Sequence, residues 1–104
     1  MPKYVLAYTG GKTPASEEEG KKSMEAWVAW IGSVGSSMVD IGNPFGSSKT
    51  VASDGKLTDG APANLAGYSI VSADSIDDAS KFAESCPQLA AGGAVEIYET
   101  LEVM

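Results

Sequence analysis

The alternation of apolar and polar positions changes period several times along the chain, and each change marks an element. Residues 3–9 (Lys-Tyr-Val-Leu-Ala-Tyr-Thr) are strand formers and predict a first strand, broken by Gly10, Gly11 and Pro14. Met24, Trp27, Val28, Ile31 and Val34 then recur at helical spacing and predict one apolar stripe on a helix that stops near Gly35. Ser16 and Glu19 have the spacing of a capping box at its start, with Glu17 and Glu18 complementing the helix dipole. Trp27 and Met24 are expected in the core, with Trp30 toward the edge of the stripe, on a pocket or a subunit contact.

Residues 38–41 (Met-Val-Asp-Ile) predict a short strand stopped by Gly42, Asn43, Pro44, Phe45 and Gly46. Residues 50–53 and 56–58 flank Asp54-Gly55, a pair suited to a type I′ turn, and predict a small hairpin. Residues 65–73 form a stronger strand carrying Tyr68, Ile70 and Val71. Ser75, with Asp78 three residues on, opens a second helix whose apolar face is Ile76, Ala79, Phe82, Ala83 and Cys86, closed by Pro87. After Gly92-Gly93 a last strand is expected over residues 94–103.

With the hairpin set aside as an insertion, the order is strand, helix, strand, strand, helix, strand. This is the α+β, ferredoxin-like split βαβ arrangement: a four-stranded antiparallel sheet with two helices on one face, all within one domain, residues 1–104. In the first strand Tyr4, Leu6 and Tyr8 share one face, and Val5 and Ala7 share the other. Both faces are therefore apolar, although two helices cover only one. The uncovered face is expected to pair with the same face of a second copy, as a homodimer.

Charge and composition narrow the chemistry. Seven lysines oppose fourteen Asp and Glu, giving a net charge of −7, with no arginine and no histidine. The lysines are scattered, so nucleic-acid binding is not expected. Without histidine the chain lacks the common metal ligand and the side chain best matched to proton transfer near neutral pH. One cysteine, Cys86, rules out an intrachain disulfide. No metal, no cofactor and no membrane span are expected, and a cytoplasmic location follows from the short apolar stretch at the amino terminus. Gly10-Gly11-Lys12-Thr13 falls between a strand and a helix as a P-loop does, but the position five residues before Gly11 is Leu6 rather than glycine.

Several stretches together resemble the YCII-related domains of the dimeric α/β-barrel superfamily. They are the opening Lys3-Tyr4-Val5-Leu6-Ala7-Tyr8; the first helix with Trp27 and Trp30; Val39-Asp40-Ile41-Gly42-Asn43-Pro44; Asp59-Gly60; Leu65-Ala66-Gly67-Tyr68-Ser69-Ile70-Val71; Ala73-Asp74-Ser75; Cys86-Pro87; and Val95-Glu96-Ile97-Tyr98. The resemblance implies a homodimer whose sheets pair as a dimeric α/β barrel. Some members look like cofactor-free enzymes acting on small aromatic or oxygenated molecules through a histidine–aspartate pair. Here the first-helix region where that histidine is expected, around Ser23 and Met24, has none, and Asp59-Gly60-Ala61-Pro62 departs from the Asp-Gly-Pro-Phe of a related branch.

Asp40 is the candidate catalytic carboxylate: it lies at the end of an apolar strand, beside a glycine- and proline-containing loop that a ligand could approach. The alternative is a strand-end aspartate that accepts hydrogen bonds from loop amides. A pocket is expected between the first helix and the sheet, bordered by Asp40, Gly42, Asn43, Pro44 and Phe45, with Tyr8, Trp30 and Tyr68 offering rings and hydroxyls. Two functions remain open. One is a small-molecule-binding or regulatory module without His-Asp chemistry. The other is a cofactor-free lyase or isomerase using Asp40 for proton transfer.

Overall fold

In the computed structural model, which describes residues 1–103, six strands and three α-helices follow one another along the chain, with a 3-10 turn at Gly35–Ser37 after the first helix. They are β1 (Lys3–Thr9), α1 (Glu17–Val34), β2 (Met38–Asp40), β3 (Lys49–Val51), β4 (Leu57–Asp59), β5 (Leu65–Ser72), α2 (Ile76–Ala83), the single turn α3 (Pro87–Ala90) and β6 (Ala94–Glu99). Four strands form one antiparallel sheet in the order β2-β5-β1-β6, and β3 pairs with β4 as a separate hairpin. This is the ferredoxin-like α+β fold with an inserted hairpin.

Both main helices begin on the expected caps. Glu19 N donates to Ser16 Oγ at 3.2 Å, and the Glu19 carboxylate accepts from Ala15 N at 2.8 Å. Asp78 N donates to Ser75 Oγ at 3.1 Å. Gly35, at φ 65°, ends α1 with its amide donating to the Ile31 carbonyl. The second helix ends at Ala83, earlier than Pro87. Cys86 takes the extended backbone favoured before proline, and Pro87 then occupies the first position of α3.

The core lies between the helices and one face of the sheet, where Tyr4, Leu6, Tyr8 and Val71 meet Trp30, Val34, Ala79 and Cys86. The face α1 turns inward is rotated from the expected stripe. Trp30 and Val34 are buried and Trp27 and Ile31 half-buried, whereas Met24 is 65% and Val28 62% exposed. The rotation satisfies Trp30: its Nε1 donates to the Phe82 carbonyl at 2.8 Å, a partner fifty-two residues away. Ile76 likewise points outward from α2, 45% exposed.

Strand ends differ from those expected at β2 to β6: β3 runs over Lys49–Val51, β4 over Leu57–Asp59, and β5 ends at Ser72. β2 stops at Asp40 because its carboxylate draws the Gly42 amide into a turn. β6 stops at Glu99, since Thr100 N bonds Lys3 O at the very start of β1 and no partner strand extends further. The β3–β4 connection is not a two-residue type I′ turn. Ala52 accepts from Gly55 N and donates to Lys56 O around a three-residue loop, with Gly55 at φ 86°.

The other sheet face is uncovered. Cross-strand partners share a face, so Val5 lies there between Ile70 and Tyr98, and Ala7 between Tyr68 and Glu96. Phe45 stacks on Tyr68 with ring centroids 5.7 Å apart. The hairpin extends from this body, and the Cα radius of gyration is 15.1 Å, against about 13 Å for a compact chain of this length.

Candidate functional site: an uncharged cleft

The cleft is built from two walls that the sequence fixes by different means. One wall is the flank of α1 beside its buried face, where Gly20, Ser23, Met24, Trp27 and Ile31 follow at helical spacing. The other is β5 from Ala66 to Ser69, continued by the loop after β2. That loop is tied to β5 by Phe45 N to Ala66 O at 2.8 Å and by Tyr68 N to Asn43 O at 3.3 Å. Two glycines permit this close approach. Gly42 sits at φ 70°, and a Cβ there would collide with the Tyr68 carbonyl. A Cβ on Gly67 would lie 3.0 Å from the Asn43 carbonyl oxygen.

Between the walls lies a cleft of about 560 Å³, whose lining also includes Tyr8, Pro14, Ile41, Pro44 and Gln88. Its size falls in the roughly 300–1,000 Å³ range of small-molecule sites. No Asp, Glu, Lys or Cys is among its lining residues. Aromatic rings form its inner end: Tyr8 and Trp27 meet edge to face with centroids 5.1 Å apart, and Trp27 meets Trp30 in the same way at 5.6 Å. Tyr8 donates to Ser69 Oγ at 2.6 Å, and Ser69 donates to the Ile41 carbonyl at 2.8 Å. Burial pushes the Tyr8 hydroxyl up to about 12, with the Ser69 hydrogen bond acting the other way.

The sequence candidates divide around this cleft. Tyr8, Gly42, Asn43, Pro44 and Tyr68 line it. Trp30 lies behind it in the core, holding Phe82, and Phe45 stacks on Tyr68 at the uncovered sheet face. Asp40 is exposed, lies outside the lining, and accepts from Gly42 N at 2.8 Å. Cys86 is buried in the core beside Ala79, and burial pushes its thiol up. Ser23 and Met24, the region where the resemblance implies a histidine, stand on the cleft wall.

Trp27, expected in the core, forms the cleft's inner end instead, and Ser69, Gln88 and Ile31 are among the other lining residues not apparent in the sequence. Ser69 and Gln88 are reached only through long-range contacts: Gln88 Nε2 donates to the Thr9 and Gly10 carbonyls at 3.0 and 2.9 Å, clamping the β1–α1 turn. Ile31 lines the cleft as well as packing against the core. A second depression, about 510 Å³, lies where residues 1–3 meet residues 99–102, without an aromatic wall. Among the described residues no helix is long and apolar enough to cross a membrane, and no three acidic or cysteine side chains gather as metal ligands.

Comparison with known proteins agrees with this architecture. One solved structure of the same fold is 5-chloro-2-hydroxyhydroquinone dehydrochlorinase from Burkholderia phenoliruptrix, in complex with 2,5-dihydroxybenzoquinone. It is 18% identical, with a TM-score of 0.58 over 96% of this chain and 94% of that one. No curated protein sequence matches the chain. The model of the YCII-related domain matches residues 4–104, nearly the whole chain, and the protein belongs to the YCII-related domain family.

Proposed function

We propose that this protein binds a small, uncharged, largely apolar molecule in the cleft between α1 and the sheet, without performing acid–base chemistry on it. The observation that carries this reading is the composition of the cleft: aromatic and aliphatic walls, a few neutral polar groups and no charged side chain. A general acid or base works best with a pKa near the ambient pH. The titratable side chain at the cleft's inner end is Tyr8, and burial pushes its hydroxyl up to about 12. Asp40, the carboxylate singled out for proton transfer, is engaged with the Gly42 amide outside the lining. Ser23 and Met24 supply neutral surface where the resemblance implies a histidine.

The solved relative of the same fold is an enzyme bound to a small oxygenated ring compound. That supports a ligand of comparable size here and leaves its identity open. A heteronuclear NMR titration with anisole tests the reading. Saturable shifts at the Trp27 indole N–H and at the Ile31 and Ala66 amides are expected, and Ser23→Trp, which fills the cleft from the helix surface, should abolish them. Anisole that gives no saturable shift, or shifts that survive Ser23→Trp, would contradict it.

The same chain is proposed to act as a homodimer in the cytoplasm. Val5, Ile70 and Tyr98 form an apolar group on the uncovered sheet face, flanked by Phe45 and Tyr68. The hairpin adds the cross-strand pair Val51 and Leu57, 67% and 55% exposed. An isolated two-stranded hairpin is marginal in water, and a second subunit would cover both features.

A further inference from the structure

The buried end of the cleft has a fixed hydrogen-bond polarity. Ser69 Oγ donates to the Ile41 carbonyl at 2.8 Å, and a carbonyl can only accept. The Ser69 hydrogen is therefore committed, so Tyr8 must be the donor in the 2.6 Å contact between the two hydroxyls. Tyr8 Oη then retains only a lone pair for a ligand. Gln88 is polarised in the same sense. Both partners of its Nε2 are carbonyls, Thr9 and Gly10, which fixes the amide's orientation and leaves Oε1 as its remaining function. Tyr8 and Ser69 are 6% and 2% exposed, so water competes little there. The other hydrogen-bonding side chains of the lining, Ser23, Trp27 and Asn43, belong to half-buried or exposed residues, and Tyr68 turns its ring to the uncovered sheet face.

We infer that the cleft selects by the polarity of the ligand's polar group: it takes uncharged hydrogen-bond donors, a hydroxyl or an N–H on an apolar body held at Tyr8 Oη, and refuses anions of the same shape. At Tyr8 Oη and Gln88 Oε1 an anion would meet oxygen lone pairs, and no cation stands in the lining to offset its lost hydration. The inference rests on the reading that the cleft binds small apolar molecules, and it adds which of them bind.

Phenol, anisole and benzoate at pH 7 share a ring and differ in the group that matters: a donor, an acceptor and an anion. In NMR titrations, phenol should bind about five- to tenfold more tightly than anisole, the worth of one net hydrogen bond, and benzoate should bind weakest. Tyr8→Phe should reduce the phenol-to-anisole affinity ratio to about one. Ser69→Ala releases the Tyr8 hydrogen to donate, so benzoate should gain and the preference for phenol over benzoate should collapse. Ser69→Thr keeps the hydroxyl and should keep the preference. Benzoate binding as tightly as phenol to the unmodified protein would overturn the inference. A phenol-to-anisole ratio unchanged by Tyr8→Phe would also overturn it, and so would a phenol-to-benzoate ratio unchanged in a folded Ser69→Ala. In each of these cases anisole would still report a binding cleft. If none of the three compounds binds, the cleft reading itself fails and this inference falls with it.

Discussion

Tyr8 and Ser69, on the neighbouring strands β1 and β5, are joined by a 2.6 Å hydrogen bond between hydroxyls sixty-one residues apart in sequence. The bond closes the buried end of the cleft and passes the Ser69 hydrogen on to the Ile41 carbonyl, in the segment that turns toward the cleft wall. One contact thus couples the sheet, the loop after β2 and the polarity offered to a ligand.

Loss of this bond is measurable without a ligand. Tyr8→Phe should cost about 1 kcal/mol at pH 7, as a net hydrogen bond does, measured by urea denaturation. The pH dependence has a definite sign. Tyr8 is raised from 10.0 to about 12 in the folded chain, so the unfolded chain loses its proton first. Stability from this group is fully present below pH 10 and falls as pH rises toward 12, by on the order of 2 kcal/mol. The difference between wild type and Tyr8→Phe should therefore shrink or reverse across that window. A difference constant from pH 7 to 12 would contradict the assignment.

The loop after β2 separates shape from charge. Asp40→Asn keeps an oxygen that can accept from Gly42 N, so stability should change by less than about 0.5 kcal/mol and phenol affinity should stay unchanged. Gly42→Ala forces a Cβ against the Tyr68 carbonyl at a positive φ and should cost more than about 1 kcal/mol. Thermal denaturation and phenol titration of the two variants check both statements.

On α1, Trp30→Ala should cost about 3–5 kcal/mol, since it removes a buried indole and its hydrogen bond to the Phe82 carbonyl. Val28→Ala, at a 62% exposed position, should cost less than about 0.5 kcal/mol. Equal effects in denaturant would mean that α1 packs through the other side.

That contrast shows what was legible in the sequence. Ser16 and Ser75 could be read as caps because each cap is made within three residues of its partner. The face of α1 could not, because positions 24, 27, 28 and 31 and positions 27, 30, 31 and 34 are both apolar at helical spacing. The choice between them rests on Trp30 reaching Phe82, which no local pattern carries. For the cleft, the glycine and proline of the loop after β2 marked the place. Ser69 and Gln88 stayed hidden because their partners lie twenty-eight or more residues away. Asp40 stood out as a carboxylate beside a loop, and in the structure that proximity is an ordinary turn contact.

Sedimentation at micromolar concentration should give about twice the chain mass of 10.7 kDa. Ile70→Lys, placing a charge in the middle of the uncovered sheet face, should return the protein to monomer while leaving the fold intact by circular dichroism. A wild-type monomer would remove the proposed pairing.

The most direct test of the account is to locate a bound neutral probe. With phenol at saturation, isotope-edited nuclear Overhauser spectra should connect its ring protons to the Trp27 indole, the Ile31 methyls and the Ala66 methyl, and Ser23→Trp should erase all three. Contacts to Val5 or Ile70 instead, or none at saturating phenol, would contradict the claim that the α1–sheet cleft is this protein's binding site.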